Sequence, residues 1–444
     1  MYKGPVGCLD HRCPLCPSRS EASSLLRCAG CRAFRYCSRE HQVAHRPQHK
    51  SACTKIKKAR TKLDQEDHEV RHATEDFMTP ANAFETHVGS FWGILNTRDY
   101  LRARFRLAQQ LLLLGTLDSV GEGLEHLRDM LRLCRSDNMG IRNLVPATML
   151  RLDLDQECYD FIKWWETCDP DGKYDWADMT LPYLNVHGAD ALEDPGFLLG
   201  KFTSLNFLVA ILILRLKLLV DIRNLKIARK IFARRHLPTE LRDQIEQNVI
   251  RSPLSAKLQR ETNVSLIKTE MKLLKHCRQI GSTIAENNHH FMFYLFEPEK
   301  ALCDNPGAYS LGSWEEMVFA MQYSYATWWE TEGVLGLLND ARACVARDAE
   351  TDTEIEDWMK NESARKGRTA AELLADLSVN RIWGYLDDAV ENASYLGPWS
   401  ERPSERYTRE ANESWAEALA EEAESDEEAE FDDEETDSDD EVWL

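Results

Sequence analysis

The chain has 444 residues and a formal net charge of −21, and 43% of its residues are hydrophobic. This length predicts two or three domains, and the hydrophobic content is high enough for a buried core. The charge is uneven, because residues 1–62 hold fourteen Lys and Arg against three acidic residues, whereas residues 417–441 hold sixteen carboxylates without a Lys or Arg. The acidic end disfavours binding of the whole chain to a polyanion such as a nucleic acid.

Cysteines are concentrated at the start of the chain, where seven of the thirteen lie within the first 53 residues. This distribution does not fit a secreted disulfide scaffold and predicts clustered metal ligands, with free thiols elsewhere in a reducing compartment. No apolar run typical of a signal peptide begins the chain, and the most apolar stretch, 207–220, is interrupted by Arg215 and Lys217. We therefore expect an intracellular protein of the nucleus, the cytoplasm or both, with 207–220 as a buried core helix rather than a membrane span.

Four pairs of Cys and His near the N-terminus have the spacing of metal ligands. A Cys-x2-Cys pair lies on a tight turn that directs both sulfurs at one ion, and ligands four residues apart lie on one face of a helix. Eight ligands make two complete tetrahedral zinc sites, and complete sites are structural rather than catalytic. The pairs are Cys13 and Cys16, Cys28 and Cys31, Cys37 and His41, and His49 and Cys53.

Other residues in this segment refine the prediction. Gly30 suits the positive φ that such a turn often needs, and Pro47 should end a first short helix and start a second. Cys8 and His11 are both expected to be non-ligands, although a shifted register would let Cys8 replace Cys13. A segment of this size buries too little apolar surface to fold unaided, so metal binding should supply much of its folding free energy.

Shorter features join the four pairs, namely Tyr36-Cys37-Ser38, His41-Gln42, His45 and a closing His49-Lys50-Ser51-Ala52-Cys53. In these features residues 13–53 resemble the MYND zinc finger family. The resemblance implies an interleaved pairing of ligands and a module that binds a peptide segment of a protein partner. One zinc would be held by Cys13, Cys16, Cys37 and His41, and the other by Cys28, Cys31, His49 and Cys53.

Two positions depart from the family pattern. His41 stands where the family more often has Cys, a change that zinc tolerates. Arg46 stands where the family usually has Trp, beside the groove that takes proline-containing peptides. The resemblance implies a partner groove at Tyr36, Gln42 and Arg46, and we expect Arg46 to change which peptides are preferred.

Residues 54–89 are densely charged and predict a helical linker. They contain His68-Glu69-Val70-Arg71-His72, which matches the HExxH motif of zinc proteases. In those enzymes the motif lies on a helix that is held against an active-site cleft, whereas here the neighbouring residues are charged and offer no apparent apolar face. We therefore expect a solvated helix face without a third zinc site.

Residues 90–400 predict an all-α body, because apolar residues recur at helical spacing and Ser313 and Thr369 begin capping-box patterns. Two helix pairs near 98–168, offset by about 38 residues, weakly resemble tetratricopeptide repeats. An irregular all-helical domain explains the same pattern equally well. The pairs Trp164-Trp165 and Trp328-Trp329 are interpreted as core residues rather than as the cap of a ligand pocket.

The sequence thus predicts a mostly α chain: a two-zinc finger at 13–53, an all-α and possibly helical-repeat body, and a disordered acidic tail at 401–444. We predict an adaptor whose finger recruits one protein partner and whose body holds another, with transcriptional regulation as one setting. Two alternatives stay open, namely an enzyme without a recognisable motif in the body, and a weak nucleic-acid binder using the basic N-terminus. Nucleic acid is disfavoured because both zinc sites use their helices.

The opposite charges of the two ends also predict an intramolecular contact. The acidic tail would fold back on the basic N-terminus and compete with the finger's partner, since a tethered segment has a high effective concentration.

Overall fold

The computed structural model describes residues 9–16, 25–75, 80–234, 237–351 and 381–391, with single positions between 353 and 369. Within these residues the fold is mostly α, as the sequence predicted. The expected acidic tail at 401–444 and the helix expected after Thr369 lie outside the described residues. The N-terminal elements are β1 (Leu26–Arg27), β2 (Arg35–Tyr36) and α1 (Arg39–His72).

The remaining α-helices follow in chain order. They are α2 (Ala83–Thr86), α3 (Arg98–Leu114), α4 (Leu117–Leu133), α5 (Val145–Arg151), α6 (Asp155–Thr167), α7 (Leu205–Arg234), α8 (Thr239–Val249), α9 (Asn263–Asn287), α10 (Phe291–Phe296), α11 (Glu299–Cys303), α12 (Trp314–Glu330), α13 (Val334–Thr351) and α14 (Leu386–Glu391). Short 3-10 helices connect several of them, at Phe91–Gly93, Leu95–Thr97, Ile141–Asn143, Pro195–Leu198, Pro253–Ala256, Leu258–Arg260 and Ile382–Gly384.

Helix α1 is one continuous helix of 34 residues and contains Pro47 in its interior. The prediction that Pro47 ends one helix and starts another is therefore wrong. Ser38 caps the N-terminus by accepting a hydrogen bond from the His41 amide. Zinc ligands lie on both sides of the proline, and the following turns pack against the body, so tertiary contacts outweigh the hydrogen bond that proline removes.

The linker segment does have an apolar face, contrary to the expectation of a fully solvated helix. Ile56, Ala59 and Val70 on α1 are at most 8% exposed, and Leu63 is partly buried beside them. These positions recur at helical spacing and pack against α3. The second half of α1 is therefore part of the folded body rather than a free spacer.

Helices α3 and α4 form an antiparallel hairpin. Gly115 ends α3 in the left-handed conformation with φ of 68°, and Thr116 with Ser119 makes a reciprocal capping box at the start of α4. Helices α5 and α6 form a second pair, but α5 has 7 residues where α3 has 17. The two pairs differ in length, and a repeat relationship between them stays a prediction.

Helix α7 is the centre of the body. Its first turns are buried on every side, because α5, α9, α12 and α13 pack around it. This confirms the prediction of a core helix at 207–220, and among the described residues no helix is both long and apolar enough to cross a membrane. Trp164, Trp165, Trp328 and Trp329 are at most 9% exposed and lie in the same apolar cluster, as predicted.

The body also buries charged groups. Arg151 Nε and Nη2 each donate to a Glu330 carboxylate oxygen at 2.9 Å, and the Glu330 side chain is fully buried. Lys217 on α7 pairs with Asp153 at 2.6 Å and with Asp155 at 2.8 Å. Leaving one partner of a buried ion pair alone is strongly destabilising, so these contacts help to fix how α5, α7 and α12 fit together.

Candidate metal centre

The finger is built on the hairpin of β1 and β2 and on the start of α1. Leu26 pairs with Tyr36 and Arg27 with Arg35, and this hairpin encloses the turn that carries Cys28 and Cys31. The amide of Cys28 donates to the Phe34 carbonyl at 2.8 Å. The hairpin and the helix therefore bring ligands from distant positions of the sequence onto two metal sites.

The turn at Cys28 needs Gly30 for space rather than for its backbone angles. Gly30 does not have the positive φ that the sequence suggested; Arg32 does, with φ of 62°. A Cβ at position 30 would lie 2.8 Å from the Cys53 sulfur. Glycine is thus required because a ligand of the same site approaches the backbone closely.

The first tetrad consists of Cys13, Cys16, Cys37 and His41, whose ligand atoms all lie within 4.8 Å of one another. His41 Nδ1 lies 3.2 Å from Cys37 Sγ, 3.4 Å from Cys16 Sγ and 3.5 Å from Cys13 Sγ. A tetrahedron with zinc bonds of about 2.0–2.3 Å has edges of roughly 3.5–3.8 Å. The donor set and its spacing therefore fit a zinc ion.

The second tetrad consists of Cys28, Cys31, His49 and Cys53. His49 Nε2 lies 3.4 Å from Cys28 Sγ and 3.5 Å from Cys31 Sγ, and the sulfurs of Cys28 and Cys53 are 3.9 Å apart. Burial, with the charges of His45 and Arg46, lowers the pKa of His49 to about 4 and keeps its imidazole neutral, as a ligand requires. The structure thus groups all eight predicted ligands as the resemblance implied.

Other candidates lie outside the tetrads. His45 is buried and its Nδ1 lies 2.9 Å from the Tyr36 hydroxyl, while His11 lies 3.6 Å from Asp118. The structure places Cys13 in the first tetrad, and Cys8, the alternative ligand of a shifted register, is outside the described residues. His68 and His72 are exposed with stacked rings, and neither joins a group of candidate metal ligands in the described part of the chain.

The predicted partner groove is only partly at the surface. Tyr36 is 2% exposed, Gln42 is half-buried and Arg46 is exposed. Gln42 accepts a hydrogen bond from Arg39, and Val43 beside it is 55% exposed. The surface on this side of α1 is therefore formed by Gln42, Val43 and Arg46, whereas Tyr36 is buried against His45.

The finger's apolar cluster is completed by the body. Leu107 and Leu111 of α3 are at most 1% exposed and pack with Ile56, Ala59 and the ligand cysteines. Without α3 this cluster would face water, and burying a leucine contributes roughly 1.5–3 kcal/mol. The finger is thus held by metal coordination and by packing on α3 together.

Polar contacts also hold the finger against the hairpin of α3 and α4, and we call this contact region the joint. Asp118, in the first turn of α4, accepts hydrogen bonds from Arg27 at 2.6 Å and from Arg35 at 2.8 Å. Burial alone would raise the pKa of Asp118, but the hydrogen bond from Arg35 and the charges of Arg35, Arg27 and His11 lower it. Asp118 therefore stays ionised and pins the β-hairpin to α4.

A second polar contact joins α1 to α4 and to a metal site. Arg60 Nη2 donates to Glu122 at 2.7 Å and to the Cys31 carbonyl at 3.0 Å. Thr116 Oγ1 donates to the Ala33 carbonyl at 2.7 Å, next to the same turn. No local sequence signal marks these residues as part of the site, because their partners lie 29 to 83 residues away.

Comparison with known proteins assigns the finger. The sequence model of the family described as MYND finger matches residues 12–53. No curated protein and no solved structure matches the chain. The match ends at Cys53, and the helical body beyond it is not assigned. Because the match coincides with two tetrads that fit zinc, residues 12–53 are a MYND zinc finger with two zinc sites.

Proposed function

We propose that this chain is an adaptor in which the MYND finger binds a peptide segment of a protein partner while the helical body holds a second partner. MYND fingers are typically protein-interaction modules. The observation that carries the proposal is that each zinc site has four protein ligands. Such sites leave zinc no open position for a substrate, so the metal shapes a surface instead of performing chemistry.

The surface offered to the peptide is the side of α1 that carries Gln42, Val43 and Arg46. Val43 gives an apolar contact, and Arg46 can pair with a carboxylate or stack on an aromatic ring. This combination favours a peptide with an acidic and an apolar residue close together. It differs from the apolar tryptophan surface that the family's proline-containing peptides meet.

The test is a peptide-library profile of the zinc-loaded full chain and of Arg46→Trp. We expect Arg46→Trp to shift the profile toward apolar, proline-containing peptides and to remove the preference for acidic ones. Lys58→Trp is the matched control, because Lys58 is an exposed cation on the same helix, twelve residues further on. Identical profiles for wild type and Arg46→Trp would contradict a role of position 46 in partner choice.

A phosphate-backbone contact is the second candidate, because α1 carries an exposed basic row. Arg39, Arg46, Lys50 and Lys57 recur at i, i+7, i+11 and i+18, which places all four on one face. The expectation that the zinc sites leave no helix face free does not hold for this row. Binding to duplex nucleic acid that falls steeply with salt would favour this candidate over a peptide partner.

We infer that the protein works in a reducing compartment. The buried Cys134, Cys158, Cys277 and Cys344 of the body form no disulfide within the described part of the chain. Free buried thiols are typical of intracellular proteins, so nucleus, cytoplasm or both stay the proposed locations. Fractionation of cells with an antibody against the chain would test this placement.

A further inference from the structure

Helix α9 leaves part of one face uncovered. Val264, Ile267 and Met271 are 65%, 45% and 66% exposed, respectively. Their spacing of i, i+3 and i+7 places them in one row along the helix. Single exposed apolar side chains are ordinary, but three in a row form a patch of the kind that takes part in contacts. We call residues 264, 267 and 271 the apolar row.

Lysines border the apolar row. Lys268, Lys272 and Lys275 are exposed along the same stretch of α9. The carboxylate within residues 263–275, Glu270, is 6% exposed and pairs with Lys226 at 2.6 Å. The face is therefore apolar along its centre and positive at its border, and its chemical complement is an acidic amphipathic helix.

The last described segment of the chain already covers the continuation of this row. Arg278 follows Met271 by seven residues, so it lies on the same side of α9. It donates to the Trp383 carbonyl at 2.8 Å and to Asp387 at 3.0 Å. Trp383 also packs so closely on Gly281 that a Cβ there would lie within 2.1 Å of the indole. Segment 381–391 thus covers α9 up to a point about 10 Å from Met271.

The sequence that follows this segment has the complementary pattern. Trp415 and Leu419 are four residues apart among alanines, so a helix would present them on one side. The opposite side of the same helix would carry acidic residues, namely Glu410, Glu413, Glu417, Glu421 and Glu424. Residues 392–414 separate Trp415 from Glu391. An unstructured stretch of this many residues would have a root-mean-square span of roughly 26 Å.

We propose that residues 410–424 bind the apolar row of α9 as an acidic amphipathic helix. Trp415 and Leu419 pack on Val264, Ile267 and Met271, and the carboxylates pair with the bordering lysines. The contact extends along α9 the cover that segment 381–391 begins. It places the acidic segment on the body and not on the basic N-terminus, where opposite charge alone would place it, because α9 combines three exposed apolar side chains in one row with bordering lysines.

The experiment is photo-crosslinking in the zinc-loaded full chain, with p-benzoylphenylalanine in place of Leu419. We expect a cross-link within one chain, mapped by mass spectrometry to residues 264–275. Cross-links to residues 39–57 would overturn the proposal in favour of the basic face of α1. Cross-links only between chains, or none at all, would overturn it as well.

Two matched variants sharpen the test. Met271→Asp introduces a like charge and removes apolar contact area, so we expect the cross-link yield to fall at least about fivefold. Leu95→Asp is the control, because Leu95 is 55% exposed but lies outside α9, and its yield should equal that of wild type. Equal yields in both variants would mean that the apolar row does not hold the segment. Neither variant touches the finger, so the outcome is independent of the finger's peptide preference.

Discussion

The finger and the helical body are stabilised in different ways, although α1 belongs to both. The body surrounds α7 with apolar helices and buries the ion pair of Arg151 and Glu330, so its stability comes from burial. The finger has a small apolar cluster that Leu107 and Leu111 complete, and its two metal sites supply the rest of its stability. The end of the metal-ligand pattern in the sequence is therefore not the end of the packed unit.

Removing one buried metal ligand should have the largest effect and should separate the two regions. Cys31 is fully buried in the second tetrad, so Cys31→Ala should abolish zinc binding at that site and unfold the finger. Structural zinc contributes roughly 10–16 kcal/mol in finger peptides. The zinc content measured by elemental analysis should fall from about two ions per chain to at most about one. The rate of amide hydrogen exchange should rise at residues 25–60.

The control for this prediction is a buried cysteine that binds no metal. Cys158→Ala, in the core of the body, should leave the zinc content unchanged and cost about 1 kcal/mol for the small cavity. Unfolding of the finger should also loosen α3, since Leu107 and Leu111 then face water. If Cys31→Ala kept the zinc content and the hydrogen-exchange rates of wild type, the two-site description would be contradicted.

The second largest effect is expected inside the body, where zinc plays no part. Glu330→Ala leaves Arg151 buried and unpaired, which typically costs about 3–5 kcal/mol. Denaturant unfolding of the body should show this loss while the zinc content stays at the wild-type value. Glu125→Ala removes an exposed partner of Arg128 and should cost less than about 1 kcal/mol. Equal losses in the two variants would argue against a buried pair.

The joint between the regions predicts a smaller, pH-dependent effect. Burial alone would raise the pKa of Glu122, but the nearby His126 and the hydrogen bond from Arg60 lower it to about 2. An unfolded Glu titrates near 4.3, so the stability that this carboxylate provides is present above about pH 4.3 and is lost as the pH falls through about 2.

Glu122→Gln should therefore destabilise the chain by roughly 1–3 kcal/mol at neutral pH and by much less at about pH 2. The measurement is the difference in free energy of unfolding between wild type and variant at each pH. This difference removes the effect of zinc release, which both chains share in acid. A difference that stays constant from neutral pH to pH 2 would mean that the Arg60 contact does not hold Glu122 ionised.

The smallest effect should come from the HExxH match. His72→Ala changes an exposed side chain outside both tetrads, so the zinc content should stay at two and the stability within about 0.5 kcal/mol of wild type. His49→Ala on the same helix should instead lose a zinc ion. Loss of zinc in His72→Ala would mean that the HExxH match binds zinc.

The ligands could be predicted because the two members of each pair lie close together in the sequence. Cys28 and Cys31 are joined by a tight turn, and His49 and Cys53 are one helical turn apart. The length of α1 was missed for a different reason. Ile56, Ala59, Leu63 and Val70 recur at helical spacing, but dense charge around them hides the pattern, and Pro47 signals an end that tertiary contacts override. The recurrence of these four apolar residues at helical spacing is enough to indicate the buried face.

The joint itself could not be predicted. Arg35 and Asp118 are 83 residues apart, and Arg60 and Glu122 are 62 apart, so only the fold brings them together. The same holds for Leu107 and Leu111, which look like ordinary core positions of α3. A sequence pattern identifies which face of a helix is buried, whereas the partner of that face follows from the packing of the whole chain.

Helix α1 gives the molecule a rigid axis about 50 Å long, with a zinc cluster at one end and the hairpin of α3 and α4 along the other half. A peptide bound beside Arg46 would consequently point in one fixed direction relative to the body. A partner that touched both surfaces would meet them already aligned, and little rotational freedom would be lost in orienting one against the other. The fixed distance between the two halves of α1 would therefore select partners whose two contact sites are separated by the same distance.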